Sequence, residues 1–344
     1  MPYPIEKKLV VGVASSALFA LSESDLIFST KGEEEYKAYQ ERNIDNVLER
    51  GVAFPFIKRL LNINDVFPEI MPVEVVLFSK NSLETGLRIF RSIRHYKLDI
   101  TRAAFTSGKS PYQYIPAFNI SLFLSANKND IDQAINAGYA GGLVIASEIS
   151  DNLNDKQLRV AFDFDGVIAD DESEAVFTKT DLKGFQDYEI ENSHIPHKLG
   201  PLGDLFKKLS LMQKMEDHKL KNDSSYEQIL RIIIVTSRNA PAHERVVTTL
   251  KNMGVSPDEA FFLGGMEKSR VLNILKPHIF FDDQLSHLNS SVENIPMVHI
   301  PFGIANKEKP VTPRPTGLCD GEFVVPDDFD EPLPEDILST FEGR

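Results

Sequence analysis

The chain has 344 residues, of which 42% are hydrophobic and 26% are charged, and this composition is typical of one large or two medium globular domains. A formal net charge of −14 without a basic cluster excludes a nucleic acid polymer as partner. The single cysteine, Cys319, excludes an internal disulfide and a cysteine-based zinc site, and it fits a reducing compartment.

The first apolar segment follows Lys7 and Lys8 and covers residues 9–21, with the sequence LVVGVASSALFAL. A charged pair before an apolar run also begins secretion signals, so the pattern leaves two interpretations. We expect a buried first strand that continues into a loop. No apolar run reaches the ~18–20 residues that span a bilayer, and we therefore predict no membrane partner.

An internal repeat relates the two halves of the chain. Four segments match in one order at offsets of 149, 149, 158 and 157 residues. They are residues 12–25 with 161–174, 51–60 with 200–209, 73–82 with 231–240, and 122–127 with 279–284. The repeat predicts two related α/β units at residues 1–150 and 151–305, followed by an acidic, proline-rich tail at 306–344.

Short apolar runs alternate with helical patterns in the second half. The runs lie at residues 160–162, 232–235, 261–262 and 279–281, and the helical patterns lie at 243–252 and 268–275. Alternation of this kind predicts a parallel sheet flanked by helices, with ligands at the carboxyl ends of the strands.

Two acids follow the run at residues 160–162. Asp163 and Asp165 are two positions apart in an extended segment, so their side chains are expected on one face, and Gly166 permits a tight turn after them. Two adjacent carboxylates repel each other unless a cation lies between them, and Mg²⁺ suits such a pair. An N-cap or a surface turn explains the same pattern and stays open from this segment alone.

Three further segments carry polar residues at or just after strand ends. Thr236 and Ser237 could hold a phosphoryl oxygen, Lys268 could reach a phosphate, and Asp282 with Asp283 forms a second acid pair. Each of these residues alone is explained by a turn or a solvated side chain. Together with the first acid pair, the series indicates phosphate chemistry at a metal site. The acids at residues 170–172 are expected to be the solvated start of a small cap insertion.

The order DFDGV, VTS, Lys268 and FFDD resembles the four motifs of the haloacid dehalogenase superfamily of phosphohydrolases. The segments RVAFDFDGVIADDESE, LRIIIVTSRNA, KPHIFFDDQ, GVAFPFIKRL and TSGKSPYQY also resemble the cytosolic 5′-nucleotidase I family. This resemblance implies two tandem Rossmannoid units of the haloacid dehalogenase type. It also implies Mg²⁺-dependent hydrolysis of nucleoside 5′-monophosphates in the cytoplasm.

The resemblance also implies roles for the matching residues. Asp163 would be the nucleophile that forms an aspartyl-phosphate, and Asp165 would exchange protons with the leaving group and water. Thr236, Ser237 and Lys268 would bind the transferring phosphoryl group. The Mg²⁺ ligands would be Asp163, Asp165 through its backbone carbonyl, Asp282 and Asp283.

The first half lacks the corresponding acids. The same offsets place Ala14, Ser16, Phe78, Ser125 and Ala126 opposite Asp163, Asp165, Thr236, Asp282 and Asp283. This half is therefore either a scaffold or a ligand-contacting unit. In the second case, Ser79, Asn81, Lys109 and Tyr112 are its candidate substrate residues.

Two other functions use similar residues. One is a phosphatase or phosphotransferase that acts on a sugar phosphate, and the other is an inactive regulator that binds nucleotides. The set Asp163, Asp165, Thr236, Lys268 and Asp282 is complete for turnover and favours an enzyme. The preferred base and sugar, activation by nucleotides and homo-oligomerisation stay open.

Overall fold

The computed structural model describes residues 3–147, 149–152, 154–288 and 294–307. Residues up to Asn306 form one compact unit, and the predicted unit boundary between residues 150 and 151 falls inside it. That boundary stays a prediction. The predicted tail at 306–344 lies outside the described residues except for its first two positions.

Ten strands and ten α-helices are formed by the described residues. The strands are β1 Leu9–Ala14, β2 Val73–Ser79, β3 Arg102–Phe105, β4 Leu122–Ser125, β5 Gly141–Val144, β6 Leu158–Phe162, β7 Leu230–Thr236, β8 Glu259–Phe262, β9 Ile279–Asp282 and β10 Met297–His299. The helices are α1 Ser15–Leu18, α2 Ser22–Arg42, α3 Phe54–Val66, α4 Leu87–His95, α5 Lys128–Asn136, α6 Glu172–Lys179, α7 Leu182–Glu191, α8 Gly203–Asn222, α9 His243–Met253 and α10 Ser269–Leu275. Gly32, at a φ of 82°, interrupts α2.

One ten-stranded sheet has the order β3-β2-β1-β4-β5-β10-β9-β6-β7-β8. Strands β5 and β10 pair antiparallel at its centre, and the other neighbours pair parallel. The predicted mixed α/β architecture with a mostly parallel sheet is confirmed. The strand order outward from the β5–β10 pair is equivalent on its two sides.

The strand register corrects one offset of the internal repeat. Val11 pairs with Val75 in β2 and with Leu122 in β4. Val160, which is 149 positions after Val11, pairs with Ile232 in β7, so β2 corresponds to β7 at an offset of 157. The offset of 158 that we predicted for this segment is wrong by one residue. Ser79, and not Phe78, therefore corresponds to Thr236.

The central strands are buried on both faces, as helix-covered parallel sheets require. All six residues of β1 are buried, which confirms the predicted first strand, but the loop that we predicted after it is wrong because α1 begins at the next residue. Phe162 stacks on Phe281 with ring centroids 5.2 Å apart, and Phe206 of α8 packs edge-on against Phe162 at 5.3 Å. Burial of such rings supplies much of the free energy of folding. Among the described residues, no helix has the length and apolar character needed to cross a membrane.

Candidate active site

A cavity of 370 Å³ opens where β6 and β7 end, and we call it the acidic cavity. Four of the predicted site residues line it, namely Asp163, Asp165, Thr236 and Ser237. Parallel strands present their carboxyl ends at one edge of the sheet, and this edge is where ligands bind in open α/β folds. Its position therefore agrees with the position predicted from the strand ends.

The turn after β6 presents both acids of the first pair. The strand ends at Phe162, and Asp163 is the N-cap of a π-helical turn at Phe164–Ile168, where its Oδ1 accepts a hydrogen bond from the Phe164 N–H at 2.7 Å. Both acids keep extended backbone angles, with ψ of 164° at Asp163 and 138° at Asp165. Gly166 then takes a φ of 68°, which favours glycine. The N-cap interpretation is thus confirmed for Asp163, and its role in a metal or phosphate site stays a prediction.

Lys268 joins the two acid pairs. Its Nζ lies 2.8 Å from Asp163 Oδ2 and 2.7 Å from Asp282 Oδ2, and only 4% of the residue is exposed. Burial disfavours the ammonium, but the two carboxylates raise the pKa of Lys268 above its ordinary value. Burial raises the pKa of Asp163 to about 6 against the opposing charge of Lys268. The Lys268 ammonium thus already balances part of the negative charge of Asp163 and Asp282, and we call these acids together with Asp283 the floor of the acidic cavity.

Asp283 is the least compensated acid of the site. It is 3% exposed, and its Oδ1 has no hydrogen-bond partner among the described residues. Burial, followed by the charges of Asp163 and Asp282, raises the pKa of Asp283 to about 9. A Cβ at Gly166 would lie 2.4 Å from Asp283 Oδ2, so glycine is required for the turn to approach this carboxyl. The site therefore has more buried acid than its own cations neutralise.

These side chains fit a divalent metal ion. Ligand atoms of Asp163, Asp282 and His287 lie within 4.8 Å of one another, and Asp283 supplies an unsatisfied carboxylate oxygen nearby. Carboxylate oxygens are preferred by Mg²⁺, and a histidine is also accepted by several transition metals. The choice of Mg²⁺ therefore stays a prediction. His287, whose Nδ1 lies 3.0 Å from Asp282 Oδ1, was not predicted.

We expect Asp283→Asn to stabilise the metal-free protein by about 2 kcal/mol at pH 7. The pKa of Asp283 is raised from 3.8 to about 9, so the folded state holds a proton that the unfolded chain releases. Stability of the wild type therefore falls as the pH rises between these values, and the advantage of the variant grows over the same range. Thermal unfolding in EDTA from pH 4 to pH 9 measures this effect.

Asp204→Asn, a change at an exposed acid of α8 that pairs with Lys208, is the matched control and should lower the free energy of unfolding by less than about 1 kcal/mol. In excess Mg²⁺ the gain should shrink, because the ion would pair with the wild-type carboxylate. A variant that is less stable than the wild type in EDTA at pH 8 would contradict the uncompensated burial of Asp283.

Arg238 binds Asp165, the second acid of the first acid pair. Its Nε and Nη2 donate to the two oxygens of Asp165 at 2.7 Å each, while Nη1 donates to Glu189 of α7. Burial opposes ionisation of Glu189, but a hydrogen bond from His197 and the charge of Arg238 outweigh it and lower the pKa of Glu189 to about 2. Arg238 follows Thr236 and Ser237 directly, and its role was not predicted because its partners lie 49 and 73 residues away.

The predicted phosphate-binding segment lies at the end of β7. Thr236 is 1% exposed, and its Oγ1 accepts a hydrogen bond from the Arg238 N–H at 3.3 Å. Ser237 is exposed and lies on the cavity wall. The backbone N–H groups of Gly264 and Gly265 bond to Arg238 and Ser237, which fixes the loop opposite this segment. The roles of these residues stay predictions, but the structure brings them together.

Helices α6 and α7 form the predicted insertion after the first acid pair. Phe177 of α6 and Phe185 of α7 line the acidic cavity as an edge-on pair, with centroids 5.8 Å apart and an interplanar angle of 89°. This aromatic pair was not predicted, although the 149-residue offset places it opposite Phe28 and Tyr36. The cavity therefore combines an acidic floor with an aromatic wall.

The prediction that the acids at residues 170–172 are solvated is wrong. Asp170 lies 3.8 Å from His197, and Asp171 accepts a hydrogen bond from the Ile304 N–H at 2.8 Å. Glu172 bonds to Arg245 and Tyr188. Asp171 and Glu172 thus connect the insertion to the α/β body through Ile304 and Arg245, whereas Asp170 Oδ1 is buried without a hydrogen-bond partner among the described residues.

The candidate substrate residues of the first half lie elsewhere. Ser79, at the end of β2, is 1% exposed, and its Oγ lies 3.3 Å from Ser15 Oγ. Asn81 lines a cavity of 460 Å³, and Lys109 and Tyr112 line a more open recess beside it. Among the described residues, none of these four lines the acidic cavity. Their contact with a ligand stays a prediction, and it concerns a different part of the sheet.

The fold and the cavity define a class of α/β protein whose acid-rich site suits a divalent metal and a phosphate. Comparison with protein families matches residues 1–307 to the family described as 5′-nucleotidase. Human "Cytosolic 5'-nucleotidase 1B" is 34% identical over 301 residues, which cover 84% of this chain and 48% of that protein. The chain thus spans about half the length of this relative. It belongs to the 5′-nucleotidase family.

Proposed function

We propose that the protein is a Mg²⁺-dependent 5′-nucleotidase that hydrolyses nucleoside 5′-monophosphates to nucleoside and phosphate. The observation that carries this proposal is one cavity with both Asp163 and the Phe177–Phe185 pair in its wall. Aromatic rings stack on bases, whereas a sugar phosphate offers nothing to stack. Membership of the family and the printed name of the human relative support the same activity.

The residues suit a two-step hydrolysis. Asp163 attacks phosphorus, and the bond to the 5′ oxygen breaks as that oxygen takes a proton from the carboxyl of Asp165. Asp165 then takes a proton from water, whose oxygen attacks phosphorus and frees Asp163. Arg238 holds both oxygens of Asp165 in the structure, so Asp165 must give up one of these hydrogen bonds and take up a proton from solvent before it acts as the acid. Thr236, Ser237 and Lys268 stabilise the charge on the transferring oxygens.

The metal would be held by Asp163, the backbone carbonyl of Asp165 and Asp282, with His287 and Asp283 beside them. When bound, it supplies positive charge that offsets the repulsion between the carboxylates and the phosphate. The excess of buried acid supports this assignment, since Asp283 has an unpartnered oxygen and a raised pKa. The cytoplasmic location remains part of the proposal.

We also infer that the two halves are tandem units of the haloacid dehalogenase type, and that only the second is catalytic. The equivalent strand orders on the two sides of the β5–β10 pair support this inference. At the equivalent positions the first half has Ala14, Ser16, Pro111, Ser125 and Ala126 in place of Asp163, Asp165, Lys268, Asp282 and Asp283. Without these groups it has neither the nucleophile nor the metal ligands.

A phosphate-release screen over nucleoside 5′-monophosphates and sugar phosphates, with Mg²⁺ and with EDTA, tests the proposal. We expect release from at least one nucleotide with Mg²⁺, at least about tenfold faster than from ribose 5-phosphate, because the base adds stacking to the transition state. Preference for the sugar phosphate would favour the alternative phosphatase. No release from any substrate would favour the inactive regulator.

A further inference from the structure

Two connected cavities lie in the first half, at the edge of the sheet that is equivalent to the edge of the acidic cavity. The outer N-terminal cavity measures 460 Å³ and the inner N-terminal cavity measures 310 Å³. They share Phe28, Lys80, Asn81 and Asn127. The established family assignment and the proposed reaction give these cavities no role.

The outer N-terminal cavity has the same aromatic wall as the acidic cavity. Phe28 and Tyr36 lie edge-on with centroids 5.6 Å apart at 84°, compared with 5.8 Å and 89° for Phe177 and Phe185. Both members are related by the offset of 149. Phe28 is 54% exposed, so the ring is available to a ligand and is not required to fill the core.

The helices that carry these rings are also held by equivalent contacts. Gln40 donates to Ser24 Oγ at 3.1 Å, and the Ser173 hydroxyl donates to Glu189 at 2.8 Å. Arg88 lies 5.7 Å from the Tyr39 ring, as Arg245 lies 5.6 Å from that of Tyr188. The aromatic pairs therefore occupy equivalent places in three dimensions.

The segment that corresponds to the phosphate-binding end is retained as well. The Asn81 N–H donates to Ser79 Oγ at 3.2 Å, as the Arg238 N–H donates to Thr236 Oγ1 at 3.3 Å. The Gly108 N–H bonds to Lys80 O, as the Gly265 N–H bonds to Ser237 O. Gly108 and Gly265 share a positive φ, 88° and 85°. A hydroxyl and the loop opposite it thus persist in the first half.

The acids of the floor are absent, which changes the chemistry of this site. Ala14, Ser16 and Ala126 line the inner N-terminal cavity where the acidic cavity and its floor have aspartates. Asp130 is the acid of this lining, and it pairs with Lys80 at 2.7 Å. A phosphate would meet the hydroxyls of Ser15 and Ser16 and the ammonium of Lys80 there, and would need no metal to offset repelling carboxylates.

The first half keeps the aromatic wall, the hydroxyl and the loop of the second half, while its cavity floor lacks the aspartates. We propose that the first half binds a second nucleotide without hydrolysing it. The base packs against Phe28 and Tyr36, and the phosphate lies toward Lys80, Ser15 and Ser16 of the inner N-terminal cavity. A scaffold would need neither an open cavity nor an exposed Phe28 in its wall after the acids were lost. This inference rests on the proposed binding of a nucleotide by the equivalent acidic cavity.

Single tryptophan reporters test the two cavities separately, because the chain has no tryptophan. Tyr36→Trp and Phe185→Trp are each made in the Asp163→Asn protein, so that the probe is not turned over. The probes are the adenosine, guanosine, cytidine and uridine 5′-monophosphates, each titrated by fluorescence. We expect saturable changes at both reporters for at least one probe.

Matched truncations assign each signal to its cavity. Phe28→Ala should weaken binding at the Tyr36→Trp reporter about tenfold and leave the Phe185→Trp titration unchanged, because it removes a stacking ring from one cavity only. Phe177→Ala should have the opposite pattern. Equilibrium dialysis of the Asp163→Asn protein without a reporter should count two bound nucleotides per chain at saturation. With Phe28→Ala added, fewer nucleotides per chain should be bound at concentrations near the Kd of the first-half site.

One nucleotide per chain, lost with Phe177→Ala and unaffected by Phe28→Ala, would overturn the second site, and so would no binding at either cavity. If the Asp163→Asn protein binds two nucleotides but the wild-type protein releases no phosphate from any nucleotide, the second site stands and the proposed hydrolysis is refuted. The two proposals therefore fail by different measurements.

Discussion

Asp163→Asn should lower phosphate release from the best nucleotide substrate at least about a thousandfold while nucleotide binding persists. The amide is a poor nucleophile, so the aspartyl-phosphate cannot form. It is nearly isosteric and keeps an oxygen for the hydrogen bond from the Phe164 N–H. Steady-state release measures the loss, and equilibrium dialysis measures the retained binding.

Asp204→Asn is the matched control, since it makes the same change at an exposed acid of α8. It should release phosphate at the wild-type rate. Turnover of Asp163→Asn within tenfold of the wild type would refute the nucleophile assignment. Asp165→Asn should slow nucleoside release and phosphate release together, because Asp165 is the acid of the first step and the base of the second.

Lys268→Met should reduce both stability and activity, and its effect on stability should be the largest of any single change considered. Lys268 is the cation shared by buried Asp163 and Asp282, and its loss leaves two carboxylates uncompensated. Removing one partner of a buried ion pair typically costs about 3–5 kcal/mol. Denaturant unfolding in EDTA measures the cost, and excess Mg²⁺ should return part of it by replacing the lost charge.

Lys251→Met, at an exposed position near the end of α9, controls for the loss of a surface charge. It should change the free energy of unfolding by less than about 0.5 kcal/mol. If Lys268→Met were as stable as this control in EDTA, Lys268 would not balance the two carboxylates. Full activity of Lys268→Met would remove it from the phosphate site.

The strands and the edge that carries the site could be predicted because their signals are local. Val160, Ile232 and Ile279 belong to short apolar runs, and each run ends at a polar residue of the site. Parallel strands place those ends together whatever their separation along the chain. The strand register was missed although the sequence contains it. An offset of 157 places Glu74 on Arg231 and Ser79 on Thr236, whereas the predicted offset of 158 places Glu74 on the buried Ile232.

Arg238, His287 and the aromatic pair could not be assigned from local patterns. Arg238 reads as a turn residue until Asp165 and Glu189 are seen on its two sides. His287 reads as a surface residue until Asp282 lies 3.0 Å from it. Phe177 and Phe185 belong to two helices whose packing decides that they face one cavity.

The sequence by itself determined the alternating α/β organisation, the internal repeat and the acids that distinguish its second half, because composition and spacing encode periodicity and charge directly. Only the tertiary structure decided which charges compensate each other and which rings share a wall. Those properties depend on distances between side chains up to 120 residues apart, such as Asp163 and Lys268 or Asp163 and Asp282. The free energy of a buried charge is set by such partners, and no local segment of the chain contains them.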